Sequence, residues 1–323
     1  MGTPQGALRI TGFTKTSSLI YFLLTTGVFA VFCISELRWL NYGNREEGGW
    51  WLEWRGARTV GEAYWFREPT MKLGIQLHLW SVIPAGILLP LQFLPIMRRK
   101  YMYLHKISGK FLFVALMMGN ITAIKIGPRS FGGSFDLQCF VWALSTAITV
   151  SIYKAWSGIR NLHIDQHRVW VIRCWAYACS ILSLRIWMTP LILSILRFAP
   201  NRYHFVKSCS EIAFLYTTRA PEEMALMLTR FPACANLTAG VDTSTYVAVL
   251  AGMDARYPEQ KAAMFNLVFC SSGVLGFLLN AALAEVYLNY TTDEDERLKK
   301  VSVARRKAAG LVPKEPKASS NGT

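Results

Sequence analysis

Six stretches of about twenty residues carry few or no charges, and they constrain the fold more than any other feature of the sequence. An apolar stretch of about twenty residues is long enough to cross the hydrocarbon core of a bilayer as an α-helix. The composition agrees, because 52% of the residues are hydrophobic and only 17% are charged, which excludes a disordered chain and disfavours a soluble enzyme. The sequence therefore predicts an all-α, polytopic membrane helix bundle with six transmembrane helices, at residues 17–40, 73–96, 107–126, 137–153, 169–196 and 264–288.

The charges between these stretches predict the orientation of the chain. One set of segments is basic, namely 1–16, 97–110, 154–173 and 289–323. The other set carries equal numbers of acidic and basic residues, namely 41–72, 127–136 and 200–263. Short basic segments stay on the cytoplasmic side, so we expect both termini in the cytoplasm and the balanced segments on the exoplasmic side. The net charge of +15 is thus an orientation signal, which predicts a lipid bilayer and no nucleic acid as the partner.

The predicted domain organisation is one membrane domain, 17–288, between a cytoplasmic N-terminus, 1–16, and a disordered basic cytoplasmic tail, 289–323. Its exoplasmic segments are 41–72 and 200–263. This organisation predicts an integral multi-pass protein, and it leaves open whether the membrane is the endoplasmic reticulum or the plasma membrane.

The two exoplasmic segments have different characters. Segment 41–72 is rich in aromatic residues, including Trp50, Trp51 and Trp54, which is typical of a segment at the membrane interface that serves as an anchor or as a substrate lid. Segment 200–263 is too long for a plain connection. Within it, residues 222–229 and 244–253 are predicted to form short helices.

Two cysteines and one sequon lie in segment 200–263. An oxidising compartment allows Cys209 and Cys234 to form a disulfide, although the sequence does not show that the two sulfur atoms meet. The sequon at Asn236 lies on the side where glycosylation occurs. We therefore expect a glycosylated Asn236 and treat the disulfide as an open alternative to two free thiols.

Polar side chains inside the predicted spans are costly, and they normally face a partner or a cavity. His167 and Arg185 are eighteen residues apart, which places them on one face of a continuous helix, about 27 Å from each other. Two polar layers follow from this geometry. The cytoplasmic layer contains Gln92, His105, His167, Asn280 and Glu285. The exoplasmic layer contains Gln76, His78 and Arg185.

The order of these polar residues resembles that of an uncharacterised multi-pass membrane family, domain of unknown function 2306, over roughly residues 73–285. The first half of the resemblance rests on His78, Gly86, Pro90-Leu91-Gln92, Arg98-Arg99-Lys100-Tyr101, Leu104-His105-Lys106 and Gly109. The second half rests on His167-Arg168-Val169-Trp170, Arg173, Arg185, Asn280 and Glu285. The resemblance implies a membrane bundle and brings no established activity. This chain departs from the pattern at Lys106, where arginine is common, and in its long segment 200–263.

A b-type haem held between His105 and His167 is the sharpest chemical hypothesis, because facing helices can supply two axial imidazoles. Such a protein would carry electrons across the membrane and would need an electron donor. His78 would be the ligand of a second centre on the exoplasmic side, where the spans contain no other histidine.

Three other functions stay open. His105, His167 and Glu285, supported by Gln92 and Asn280, would form an acid–base or metal site in an isomerase, cyclase or hydroxylase that acts on a lipophilic small molecule, with Arg185 as a further catalytic candidate. Alternatively, the two polar layers are gates of a small-solute transporter in which Arg185 attracts an anion. In a purely structural protein, Glu285 would pair with Arg168 or Lys106 to lock the helices together. The sequence does not decide whether the protein is an enzyme.

Overall fold

The structure is a computed structural model, and it describes residues 4–13, 16–37, 39–40, 62–219, 224–237 and 245–311. Among these residues, five helices are long and apolar enough to cross a membrane: Pro69–Phe93, Met102–Ile126, Phe135–Arg160, Ile164–Phe198 and Pro258–Tyr290. A shorter apolar helix covers Leu19–Ser35, within the first predicted span. The predicted all-α, multi-pass membrane fold is confirmed, whereas the count of six spans and the orientation of the termini stay predictions.

The described N-terminal part of the chain contains α1 (Pro4–Thr11), α2 (Thr16–Phe22), a π-helical turn (Leu23–Gly27) and α3 (Val28–Ser35), of which the last three overlap the predicted span 17–40. The π-helical turn contains two threonines whose hydroxyls donate to backbone carbonyls of the preceding turn. Thr25 donates to Tyr21 at 2.8 Å, and Thr26 donates to Phe22 at 2.7 Å. Such bonds compete with the regular helical ladder, which accounts for the local change of pitch.

The next elements are α4 (Glu62–Phe66), α5 (Pro69–Phe93), α6 (Pro95–Arg99) and α7 (Met102–Ile126). Proline sets their boundaries: Pro69 occupies the first turn of α5, and Leu94 is extended because Pro95 follows it. Glycines let α5 approach its neighbours closely. A Cβ at Gly119 would lie 2.6 Å from Val82, and one at Gly86 would meet Cys33. This close packing of small residues is typical of membrane helices.

The next three helices are α8 (Phe135–Arg160), α9 (Ile164–Ala178) and α10 (Ser180–Phe198). Only Cys179 separates α9 from α10. The predicted span 169–196 thus consists of two helices with a one-residue break at Cys179, inside the apolar helical stretch Ile164–Phe198, and the shared face of His167 and Arg185 stays a prediction.

Segment 200–263 folds into β1 (His204–Ser208), α11 (Cys209–Arg219), α12 (Met224–Arg230), a 3-10 helix (Pro232–Leu237) and β2 (Tyr246–Leu250). The helix predicted at 222–229 is confirmed over its described part. The helix predicted at 244–253 is wrong, because Tyr246–Leu250 pairs antiparallel with β1, from His204 opposite Leu250 to Ser208 opposite Tyr246. Tyr246, Val247 and Val249 of β2 are residue types that favour strands, and the partner strand lies some forty residues away.

A disulfide joins Cys209, the first residue of α11, to Cys234, with the two Cα atoms 5.4 Å apart. Both cysteines are fully buried in a core with Ile212, Tyr216 and Met227. Asn236 follows in the same 3-10 helix, whereas Thr238 of its sequon lies outside the described residues. The structure thus contains the pairing that the sequence left open, and glycosylation stays a prediction.

We expect Cys234→Ala to lower the free energy of unfolding by about 3 kcal/mol, because the disulfide closes a loop with a sequence separation of 25. Thermal unfolding in detergent, with and without reductant, measures this effect. Cys139→Ala is the control, because Cys139 is an exposed free thiol. The prediction would be contradicted if reductant left the unfolding temperature of the wild type unchanged.

The last elements are α13 (Pro258–Tyr290) and α14 (Thr292–Ala308). Where the sequence predicted a disordered tail from residue 289, the described chain is therefore largely helical. Acidic residues begin α14 and basic residues end it, in line with the helix dipole, and Glu294 pairs with Arg297 at 2.7 Å. Ser302 fixes the helix in place: its hydroxyl donates to Asp165 at 2.6 Å and accepts the Ile164 N–H at 2.8 Å.

The chain divides into two compact units. Unit 1 comprises Met1–Ser145 and Ile181–Gly276, and unit 2 comprises Thr146–Ser180 and Phe277–Thr323. The side-chain contacts that define the candidate sites each lie within a single unit.

Candidate functional site

Unit 1 contains a set of polar and ionisable side chains that we call the buried charge cluster: Glu62, Arg185, Lys207, Glu211 and Asn266. Glu62, Lys207 and Glu211 are each 5% exposed or less, and Arg185 is half-buried. Ionisable side chains are rarely buried to this degree unless they are paired or serve a function. The cluster is therefore the strongest candidate site among the described residues.

Lys207 and Glu211 form a closed ion pair. The Lys207 Nζ lies 2.5 Å from Glu211 Oε1 and 3.3 Å from the Asn266 Oδ1 that α13 contributes. Lys207 stands near the end of β1 and Glu211 in the first turn of α11, where the helix dipole favours a negative charge. The Glu211 N–H also donates to the Ser208 hydroxyl at 3.2 Å. Lys207 and Glu211 are already bonded to each other. We therefore assign the pair an electrostatic role in the cluster.

Glu62 reaches the cluster through a tight turn at residues 131–133, which we call the 131–133 turn. The Phe131 N–H donates to Glu62 Oε1 at 2.7 Å. All three residues of the turn have positive φ angles. Gly132 has to be glycine, because a Cβ there would lie 2.4 Å from the Asn266 side chain and 2.5 Å from the Phe205 ring.

Aromatic rings make contacts at both the 131–133 turn and α4. The Phe131 ring stacks on Phe269 with centroids 3.6 Å apart, and the Arg185 guanidinium carbon lies 6.0 Å from the Phe131 ring centroid. On α4, the Trp65 ring lies 4.5 Å from the Arg129 guanidinium carbon. Glu62 thus lies on a helix of five residues whose Trp65 packs against Arg129.

The second carboxyl oxygen of Glu62, Oε2, is buried and makes no hydrogen bond within the described residues. Burial raises the pKa of Glu62 from 4.5 to about 8. The Phe131 N–H lowers this pKa, the negative Glu211 raises it, and the positive Lys207 and Arg185 lower it. The outcome is a buried carboxyl group whose pKa is raised, with one oxygen that makes no hydrogen bond within the described residues.

The polar residues predicted for the cytoplasmic layer divide between the two units. In unit 2, His167 Nδ1 lies 2.9 Å from the Ala155 carbonyl oxygen, and the Asn280 amide donates to the Ala176 carbonyl at 3.1 Å. In unit 1, the Gln92 amide donates to the Ser108 hydroxyl at 2.6 Å, and His105 is half-buried in α7. Within the described chain, no group of three or more His, Cys, Asp or Glu side chains is arranged to hold a metal ion.

Glu285 has a different partner from the two that the sequence suggested. Arg173 binds its carboxylate with two hydrogen bonds, at 2.7 and 2.9 Å. Arg168 instead donates to the Thr291 hydroxyl at 2.6 Å. The prediction of a pair with Arg168 or Lys106 was wrong, and an ion pair of this kind takes up the carboxylate that a catalytic Glu285 would need.

In the layer predicted to be exoplasmic, each polar side chain of α5 has a partner in unit 1. His78 Nδ1 lies 2.9 Å from the Gly119 carbonyl oxygen, and the Gln76 amide donates to the Leu40 carbonyl at 2.6 Å. Arg185 is the one predicted site residue that belongs to the buried charge cluster. The sequence analysis missed the other four members, although the Lys207 and Glu211 spacing and the Gly132-Gly133 pair were signals of a local ion pair and a tight turn.

A double-mutant cycle on Arg173 and Glu285 is expected to give a coupling free energy of about 1 kcal/mol in thermal unfolding. We expect this coupling because Arg173 and Glu285 form a bidentate pair, and each single variant removes both hydrogen bonds. Arg297 and Glu294 are the control, since this exposed pair should couple by less than about 0.5 kcal/mol. Equal coupling for the two pairs would contradict the structural role of Arg173.

The long apolar helices define an integral multi-pass membrane protein. A family model described as a predicted membrane protein, DUF2306, matches residues 75–212. The resemblance predicted from the sequence is therefore confirmed over these residues, which include Arg185, Lys207 and Glu211. The match ends before Asn280 and Glu285, and it does not include Glu62. No curated protein and no solved structure matches the chain.

Proposed function

We propose that this protein is a membrane-embedded acid–base enzyme in which Glu62 transfers a proton to and from a lipophilic substrate. One observation carries the proposal: a buried carboxyl group has one oxygen fixed by the Phe131 N–H and the other without a partner in the described residues. A general acid or base works best when its pKa lies near the operating pH, and the raised pKa of Glu62, about 8, meets this condition.

The positive charges of the cluster suit the same chemistry. Proton transfer to or from carbon develops charge on the substrate, and fixed cations stabilise a developing negative charge in a site that excludes water. Arg185 and Lys207 both act electrostatically on the Glu62 carboxyl, so they act on a substrate beside it as well. Lys207 contributes its positive field while it remains paired with Glu211. We assign to Arg185 the stabilisation of the negative charge that develops on the substrate.

The reaction class that balances without another reactant is an isomerisation. Protonated Glu62 gives its proton to one atom of the substrate, and the resulting carboxylate takes a proton from another. An isomerase or a cyclase needs only this exchange, whereas a hydroxylase needs an oxidant. The aromatic α4 favours a lipophilic substrate, since aromatic side chains concentrate at the level of lipid headgroups.

Exchange with heavy water tests the proposal. The purified protein is placed in nanodiscs made from a total lipid extract in D2O, and deuterium incorporation into lipids is measured by mass spectrometry. The wild type is expected to label a lipid on carbon, and Glu62→Gln is expected to lose at least about 100-fold in rate because the acid–base group is gone. Glu68→Gln is the matched control, because Glu68 is exposed and lies near Glu62 in the chain.

Two outcomes would overturn the proposal. The first is a wild-type protein that labels no lipid above an empty nanodisc. The second is a folded Glu62→Gln variant that labels as fast as the wild type.

A second candidate is the b-type haem redox protein, which the geometry of His167 favours. If His167 Nδ1 donates its proton to the Ala155 carbonyl, the lone pair is on Nε2, the arrangement typical of a metal-binding histidine. A difference spectrum of dithionite-reduced against oxidised protein, expressed with ample haem, tests it. A b-type band that His167→Ala removes and His163→Ala keeps would support this candidate, and a flat spectrum would eliminate it.

A further inference from the structure

The end of α5, the short α6 and the start of α7 line an open apolar groove in unit 1. Its volume is about 360 Å³, and its lining includes Leu88, Leu91, Met97, Leu104, Ile107 and Phe111. Ser108 also lines the groove, but its hydroxyl is already used: it donates to the Leu104 carbonyl at 2.5 Å and accepts from the Gln92 amide at 2.6 Å. The groove therefore offers hydrocarbon surface and suits a hydrocarbon chain.

Five basic residues, which we call the basic group, lie in the same part of the sequence as the groove residues. All five are exposed: Arg98, Arg99, Lys100, Lys106 and Lys110. No acidic residue occurs between 94 and 111 to balance these charges. Arg98, Arg99 and Lys100 directly follow the groove residue Met97 in the chain, and Lys110 flanks the face of α7 that carries Ile107 and Phe111, whereas Lys106 lies on the opposite side of that helix. The positive charge next to the groove is therefore carried by 98–100 and Lys110.

Aromatic residues mark the depth of this region. Tyr101 and Tyr103 are 42% and 74% exposed, immediately before and within the first turn of α7. Exposed tyrosines of this kind sit at the level of lipid headgroups. The groove residues that follow along α7 are therefore at the depth of acyl chains, and Arg98, Arg99 and Lys100, which come before Tyr101, are at the depth of phosphate groups.

From this arrangement we infer that the groove is a binding site for one anionic phospholipid. An acyl chain occupies the groove, and the headgroup phosphate lies against the basic group at the start of α7. A zwitterionic lipid offers the same chain but no net charge, so the basic group makes the site selective for anionic lipids. Free phosphate offers the charge without the chain and lacks the apolar contact.

Native mass spectrometry of delipidated protein in detergent measures this binding. The probes are phosphatidylserine, phosphatidylcholine with the same chains, and inorganic phosphate. The variant Arg99→Gln/Lys100→Gln/Lys110→Gln removes three charges, and Ile107→Trp fills the groove while keeping them. The control Lys300→Gln/Arg305→Gln/Lys307→Gln removes three cations from α14, which contributes nothing to the groove.

Each cation near an anionic lipid is worth about a fivefold change in affinity, so the triple groove variant is expected to lose about 100-fold for phosphatidylserine. Ile107→Trp is expected to lose at least tenfold, and the α14 control is expected to bind like the wild type. Equal affinity of the wild type for phosphatidylserine and phosphatidylcholine would overturn the inference. So would competition by inorganic phosphate at the lipid's own concentration, or an unaffected Ile107→Trp.

A groove variant that unfolds is recognised by thermal unfolding in the same detergent. In that case Lys110→Gln alone replaces the triple variant, with an expected fivefold loss for phosphatidylserine and none for phosphatidylcholine. An unchanged affinity of folded Lys110→Gln for phosphatidylserine would then overturn the inference. This test is independent of Glu62, so its failure leaves the proposed enzyme untouched.

Discussion

Replacing Lys207 by methionine is expected to lower the free energy of unfolding by about 3–5 kcal/mol. The Lys207 side chain is fully buried and the Glu211 side chain is 4% exposed, so the change leaves a carboxylate without its partner in a region that water does not reach. Methionine keeps most of the side-chain volume, so the loss reports the charge rather than a cavity. Thermal or denaturant unfolding in detergent micelles measures the effect.

The double variant Lys207→Met/Glu211→Leu distinguishes the cost of one unpaired charge from the cost of losing the whole ion pair. Two apolar side chains of similar volume should recover most of the loss, because the cost comes from one uncompensated charge and not from the absence of the pair. The matched control is Lys299→Met, which breaks an exposed pair of the same spacing with Asp295 and should change stability little. A Lys207→Met variant as stable as the wild type would contradict the buried pair.

The stability of the wild type relative to Glu62→Gln is expected to fall by about 5 kcal/mol as the pH rises from about 4.5 to about 8. The folded protein favours the neutral carboxyl, and burial raises its pKa well above the value of 4.5 that it has in the unfolded chain. Below pH 4.5 both states are protonated, and the contribution of Glu62 is fully present. It is lost as the pH rises through the folded pKa, because the unfolded chain releases its proton first.

Intrinsic tryptophan fluorescence during thermal unfolding, recorded across this pH range, follows the effect. Other carboxyl groups titrate in the same range, so the informative quantity is the difference between the wild type and Glu62→Gln. Glu68→Gln should keep the wild-type pH dependence, since Glu68 is exposed. Parallel curves for the wild type and Glu62→Gln would show that Glu62 ionises normally in the folded state.

The membrane fold was predictable from the sequence, because hydrophobic length alone identifies a span. The predicted stretch 107–126 lies inside α7, Met102–Ile126, and 137–153 lies inside α8, Phe135–Arg160. The exact helix ends were not predictable, because they depend on caps and prolines. The tail helix α14 was missed, since its stability depends on charge pairs and on Ser302 contacting residues more than 130 positions earlier.

The candidate site was largely not predictable, and the reason is sequence distance. Glu62 meets Phe131 across 69 positions, and Lys207 meets Asn266 across 59. Periodicity within one helix identified Arg185, but it does not show which segments outside the spans fold back onto it. The same limit applies to Glu285, whose partner Arg173 lies 112 positions away.

The disulfide at the start of α11 makes the buried charge cluster depend on whether the chain was oxidised during biosynthesis. Cys209 stands between Lys207 and Glu211 in the sequence, so the bond to Cys234 holds the junction across which these two charges pair. In a chain made without an oxidation step, this junction lacks its covalent link. Production for activity assays therefore calls for a host with an oxidative folding machinery and for purification buffers free of thiols.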